Sequence, residues 1–90
     1  MFYLVLCNLA CWTATEDVHG YGGVAYSLTT VHQCQAACIN DVTCLAIDWE
    51  PSNAAGKTCW ILRMADVRPT TKTGVITHYQ LQRKCLGWSD

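Results

Sequence analysis

The first 56 residues contain no lysine and no arginine. All six basic residues fall between Lys57 and Lys84 (Lys57, Arg63, Arg68, Lys72, Arg83 and Lys84), and only one acid, Asp66, lies among them. Six bases against one acid give that interval +5; residues 1–56 carry five acids for −5, and Asp90 brings the chain to −1. A chain without overall basic excess has little to offer nucleic-acid phosphates, and no nucleic-acid partner is expected. Equally absent is any stretch approaching the roughly eighteen apolar residues of a membrane-crossing helix, so no membrane span is expected either. Paired Cys-x2-Cys elements are missing, which argues against bound zinc. The glycine-rich HGYGGVAY at 19–26 lacks the Lys-Ser/Thr of a phosphate-binding loop and does not open directly onto a helix. It reads as a turn.

What is present in quantity is cysteine: seven in ninety residues. That is the density of a disulfide scaffold, which persists in oxidising compartments. A chain of this length has room for one small core, marginal without cross-links, and each native bridge adds on the order of 2–4 kcal/mol. A single stapled domain, secreted or extracellular, is the expectation.

The clearest local signal runs from Thr30 to Leu62, TVHQCQAACINDVTCLAIDWEPSNAAGKTCWIL. Thr30 and Gln33 form a capping-box pattern, in which the hydroxyl and the amide side chain satisfy orphan amides at a helix start. Val31, Cys34, Ala37 and Cys38 then make one helical stripe, and Asn40 and Asp41 stop it. From Cys44 to Trp49 the chain alternates, with Leu45, Ile47 and Trp49 on one side and Cys44, Ala46 and Asp48 on the other. Pro51 to Gly56 is a loop of turn formers, and Thr58 to Leu62 alternates again. A helix laid across a hairpin and stapled to it by Cys34–Cys59 and Cys38–Cys44 fits this pattern. Spacing alone leaves fifteen connectivities for six cysteines, and more with a seventh.

As a set, Cys34-x3-Cys38-x5-Cys44, the strand CLAIDWE, the glycine-containing loop, CWIL, the later THYQL and a closing Cys85 resemble the PAN/apple domain family. With Cys11 as the opening cysteine, the resemblance covers about residues 11–85. It implies an α+β fold: a small disulfide-rich domain whose antiparallel sheet is crossed by one main helix, Thr30 to about Asn40. The bridges implied are Cys11–Cys85, Cys34–Cys59 and Cys38–Cys44, with Cys7 able to replace Cys11. A further implication is a non-catalytic extracellular unit that contacts proteins or carbohydrates.

Outside residues 11–85 lie a leader and a tail. Met1 to Ala10 is uncharged and mostly apolar, like the core of a secretory signal, although it is short and lacks an opening Lys or Arg. Three readings are open: an abbreviated signal, a first strand, or an edge of the gene model. The signal-like one is taken here as the expectation, and Cys7 would leave with the leader. Residues 86–90 read as a C-terminal tail.

The remainder of the chain supplies strands and loops. Short strands are expected at Trp12–Ala14 and Val24–Leu28. Arg63 to Thr73 loses all alternation and reads as a long surface connection. Val75 to Gln82 alternates well, with Val75, Thr77, Tyr79 and Leu81 on one face. Among candidate functional groups, His19, His32 and His78 sit in no recognised motif; His32 is expected to be exposed and His78 partly buried and hydrogen-bonded. Asp48 and Glu50 share a strand face, a spacing compatible with a calcium ion or a base, but they are expected to border the hairpin loop and meet solvent or a nearby cation. Trp49 and Trp60 are expected at the helix–sheet core.

These features carry two classes of function. One is an extracellular binding module for protein or glycan ligands, with Lys57, Arg63, Arg68 and Lys72 as the contact surface for an anionic partner. The other is a structural or adhesive component whose use is the stapled fold itself. No catalytic constellation is recognisable and no cofactor is implied, so an enzyme is not expected.

Overall fold

A computed structural model describes residues 11–86; the expectations for the leader, for Cys7 and for the C-terminal tail fall outside the described residues. The fold is α+β: antiparallel sheets, one α-helix and three disulfides. The main sheet holds β1 (Trp12–Glu16), β3 (Val24–Tyr26), β4 (Ala46–Trp49), β5 (Cys59–Leu62) and β7 (Thr77–Leu81), in the order β1-β7-β4-β5-β3. A second, two-stranded sheet pairs β2 (Val18–Gly20) with β6 (Val67–Pro69).

The helix α1 spans Val31–Asn40. Its N-cap is Thr30, whose hydroxyl accepts from the Gln33 amide at 3.1 Å while the Gln33 side chain accepts from the Thr30 amide, the reciprocal box read from the sequence. At the other end Asp41 caps the helix in extended conformation. The last carbonyls are then taken up by Arg83, which reaches over from beyond β7. One guanidinium nitrogen lies 2.9 Å from Cys38 O, 2.6 Å from Asp41 O and 3.2 Å from Cys44 O. Cation and donor act together there, at the negative end of the helix dipole.

Register decides which side chains meet the helix. Across β4 and β5, Ile47 opposes Ile61 and Trp49 opposes Cys59; across β4 and β7, Ile47 opposes Tyr79. Because side chains alternate, these residues share one face with Leu81 and Trp12. They pack with the buried stripe Cys34–Cys38 and the flanking Val31 and Ala37 into the core. The bridges lie in it: Cys34–Cys59 ties helix to β5, Cys38–Cys44 ties the helix end to the start of β4, and Cys11–Cys85 closes the ends of β1 and β7. Their Cα separations of 5.6, 5.3 and 5.3 Å suit bridge geometry.

Several expectations needed correction. Arg63 to Thr73 is not wholly irregular: Val67–Pro69 forms β6, with Pro69 opposite Val18. A three-residue strand has no room to show alternation, and a proline is tolerated because the strand is an edge. The run 19–26 turns at Tyr21–Gly23 as expected, but its first residues belong to β2 and its last to β3. β3 stops at Tyr26 because Leu28 leaves the ladder for Thr58: its amide donates to Thr58 Oγ1 at 3.0 Å, and that hydroxyl donates back to the Leu28 carbonyl. β1 runs two residues past the expected Ala14, and β7 starts at Thr77 rather than Val75.

Candidate functional site

The sheet face opposite the helix carries Ala46, Asp48, Trp60, Leu62 and His78 by the same register. This face is not open to solvent over its centre, because β2 lies against β4 and β7. Glycine is what permits that close approach. A Cβ on Gly20 would sit 2.5 Å from Leu62 Cδ1, and one on Gly23 would sit 2.8 Å from Leu62 Cδ2 and 3.3 Å from Trp60 Cβ. The glycine-rich run is therefore a packing element that brings backbone down onto Leu62.

Beneath it, Asp48 is buried, not solvated as the sequence reading expected. Its Oδ1 lies 2.8 Å from His78 Nδ1 and its Oδ2 accepts from the Gly20 amide at 2.8 Å. A carboxylate only accepts, so Nδ1 is the protonated nitrogen of His78. His78 is buried and hydrogen-bonded, more completely than expected. Trp60 is the second correction: it faces this side, away from the helix, whereas Trp49 does pack against the helix-side core. Both followed from giving a two-sided sheet only one covered face.

Where β2 turns away, a cleft of about 490 Å³ opens, lined by His19, Tyr21, Asp48, Glu50, Trp60, Leu62 and Ile76 with the glycine backbone. A second hollow of about 270 Å³ adjoins it, lined by Pro69, Thr70, Thr71, Lys72 and Val75. His19, Glu50 and Ile76 line both, so the two form one groove. His19 Nδ1 donates to the Gly20 carbonyl at 3.0 Å, which leaves Nε2 for other contacts. The His19 and Tyr21 rings meet edge-on at 5.7 Å, and the Arg68 guanidinium lies 5.2 Å over the Tyr21 ring. Among the described residues the buried Tyr21 hydroxyl has no hydrogen-bond partner, and Glu50 makes no ion pair.

The corner beside the groove is held by Asp17, the one non-glycine residue with positive φ among the described residues, at 65°. Its amide donates to Ile76 O, its carbonyl accepts from Thr70 N, and its Oδ1 accepts from Gly74 N at 2.7 Å. Three bonds to the β6–β7 segment offset the strain of the left-handed conformation.

The four basic residues singled out from the sequence are distributed over different parts of this frame. Lys57 precedes β5 and Arg63 follows it, so they stand at opposite ends of one strand, on the order of 20 Å apart along the chain. Arg63 is engaged at the helix C-terminus: one nitrogen lies 2.6 Å from Asp41 Oδ2 and Nε donates to Thr43 Oγ1 at 2.7 Å. Arg68 covers Tyr21, and Lys72 lines the smaller hollow. Asp41 has its carboxyl held below the usual range, first by the Thr43 hydroxyl and amide and then by Arg63.

Among the described residues no group of three or more His, Cys, Asp or Glu is placed to hold a metal, and no helix is long and apolar enough to cross a membrane. His19, Tyr21, Ile76 and Trp60 are groove residues that the sequence reading did not assign to a site. The available signal was the rings of His19 and Tyr21 interleaved with three glycines, which marks where backbone and ring approach a sheet. No family model, curated protein or solved structure matches the chain.

Proposed function

We propose that the chain is an extracellular, non-catalytic binding module for a protein or carbohydrate ligand, similar in kind to PAN/apple domains. One observation carries this reading: a frame cross-linked by three disulfides holds a lined groove on the sheet face away from its helix. Disulfides suit an oxidising compartment, and rigid frames with grooves are where recognition sits. The pairing inferred for the family, Cys11–Cys85, Cys34–Cys59 and Cys38–Cys44, coincides with the three bridges. Both oxygens of Asp48 are occupied, by His78 and by the Gly20 amide, which suits a structural role for the pair.

The test is to immobilise the oxidised chain and probe it with a panel of extracellular proteins and a glycan array that includes heparin. A discrete ligand, lost when the bridges are reduced, is the expected result. A chain that retains nothing from either panel would overturn the binding reading and leave the stapled fold as a structural or adhesive unit.

A further inference from the structure

We infer that the groove around Glu50 takes an uncharged saccharide, bound through its hydroxyl groups against the Trp60–Tyr21 end. The inference rests on reading the chain as a binding module and names the ligand class of that same site. Glu50 is half-buried where the two hollows meet, and its carboxylate makes no hydrogen bond or ion pair with the described residues. A carboxylate without protein donors keeps its acceptor capacity for a ligand, and hydroxyls that donate to it make charge-assisted bonds. His19 adds Nε2. The groove thus offers groups that accept, together with two aromatic side chains and the apolar Leu62 and Ile76.

Charge decides among ligands able to donate. A cationic ligand, such as a lysine ammonium, would approach Glu50 but meet Lys72 in the adjoining hollow and Arg68 over Tyr21. An anionic one, such as a sulfated glycan, would meet Glu50 and Asp48 on the groove wall. Glu50 and Lys72, of opposite sign and in no ion pair among the described residues, line one passage, so neither kind of ion is matched along its length. A sugar ring satisfies the remaining demands: hydroxyls that donate to Glu50 and His19 and accept from Lys72, and C–H faces for the aromatic end. The cleft of about 490 Å³ falls in the range of small-ligand sites, and the adjoining hollow leaves room for a second ring.

The experiment is saturation-transfer NMR on the full oxidised chain with neutral mono- and disaccharides (glucose, galactose, mannose, N-acetylglucosamine and their dimers), with heparin fragments as a separate arm. At least one neutral sugar should bind, with affinity changing less than about twofold between low and high salt, because no net charge is matched. Glu50→Gln should weaken it about tenfold through loss of charge-assisted bonds, and Thr71→Trp, at an exposed rim position, should block the second ring. Neutral-sugar binding that neither substitution alters would overturn the inference, and so would binding of heparin alone. A chain that binds a protein but no sugar would also overturn it while leaving the binding-module reading in place.

Discussion

Asp48 and His78 face one another across β4 and β7, with 2.8 Å between carboxylate and imidazole, and both are almost fully removed from solvent. They are opposed residues in the strand register, and the second carboxylate oxygen receives the Gly20 amide of the covering strand. One buried acid thus joins three segments that are far apart in sequence. Removing its imidazole partner leaves charge in the interior with only one donor.

His78→Leu should therefore lower stability by about 3 kcal/mol, and Asp48→Leu in the same background should recover part of the loss. Urea denaturation of the single and double variants measures this. A single variant as stable as the parent would show that the pair does not matter to the fold.

The three bridges should not contribute equally. Replacing both Cys34 and Cys59 by Ala should cost roughly 2–5 kcal/mol and can prevent folding at body temperature. The Cys38–Cys44 bridge closes 6 residues against 25, so in the loop-entropy account its removal should cost about 1 kcal/mol less. Thermal melts of the two double variants test the order. Equal shifts would mean that loop length is not what sets it.

Gly23→Ala should destabilise by about 1–3 kcal/mol, because its methyl would sit 2.8 Å from a buried Leu62 methyl and 3.3 Å from Trp60 Cβ. Adding Leu62→Ala would make space for the methyl, so the two changes should be less than additive. Strict additivity in a double-mutant cycle would argue against this contact.

Acid should remove a stabilising contribution at the end of the helix. Asp41 has its folded-state carboxyl lowered, chiefly by Thr43 and then by Arg63, so the ionised form contributes stability above its unfolded pKa. That contribution is lost as pH falls through the lowered value. Melting curves from neutral to strongly acidic pH should therefore separate the parent from Asp41→Asn at neutral pH and converge in acid. Parallel curves would remove Asp41 as the cause.

Much of the helix side of this domain was legible in the sequence. The Thr30–Gln33 box, the Cys34–Cys38 stripe, the stop at Asn40–Asp41 and the hairpin from Cys44 to Leu62 each carry a local signal; helix and hairpin are present, with the hairpin strands starting at Ala46 and Cys59 instead of Cys44 and Thr58. The other face was not legible, for a physical reason. Alternation distinguishes the two sides of a strand but does not say that both are covered. Asp48 looked like a solvent-facing residue because it is charged, and it is buried because Gly20 and His78, at distances of 28 and 30 residues, supply its donors. β2 and β6 were invisible for the same reason: three residues each, held by one another and not by propensity. The basic residues grouped in sequence were separated by the length of β5 and by the pairing of Arg63 with Asp41.

The Cys11–Cys85 bridge has a mechanical consequence. Its two Cα atoms lie 5.3 Å apart although 74 positions separate them in the chain. A pull applied to the backbone outside residues 11 and 85 travels through that one covalent link, and everything between carries no tension. The groove, the helix and the two inner bridges keep their geometry under load. Stretching such a unit would lengthen it only after a reductant had cut the outer bond, at which point up to roughly 240 Å of chain becomes available at the reach of an extended backbone.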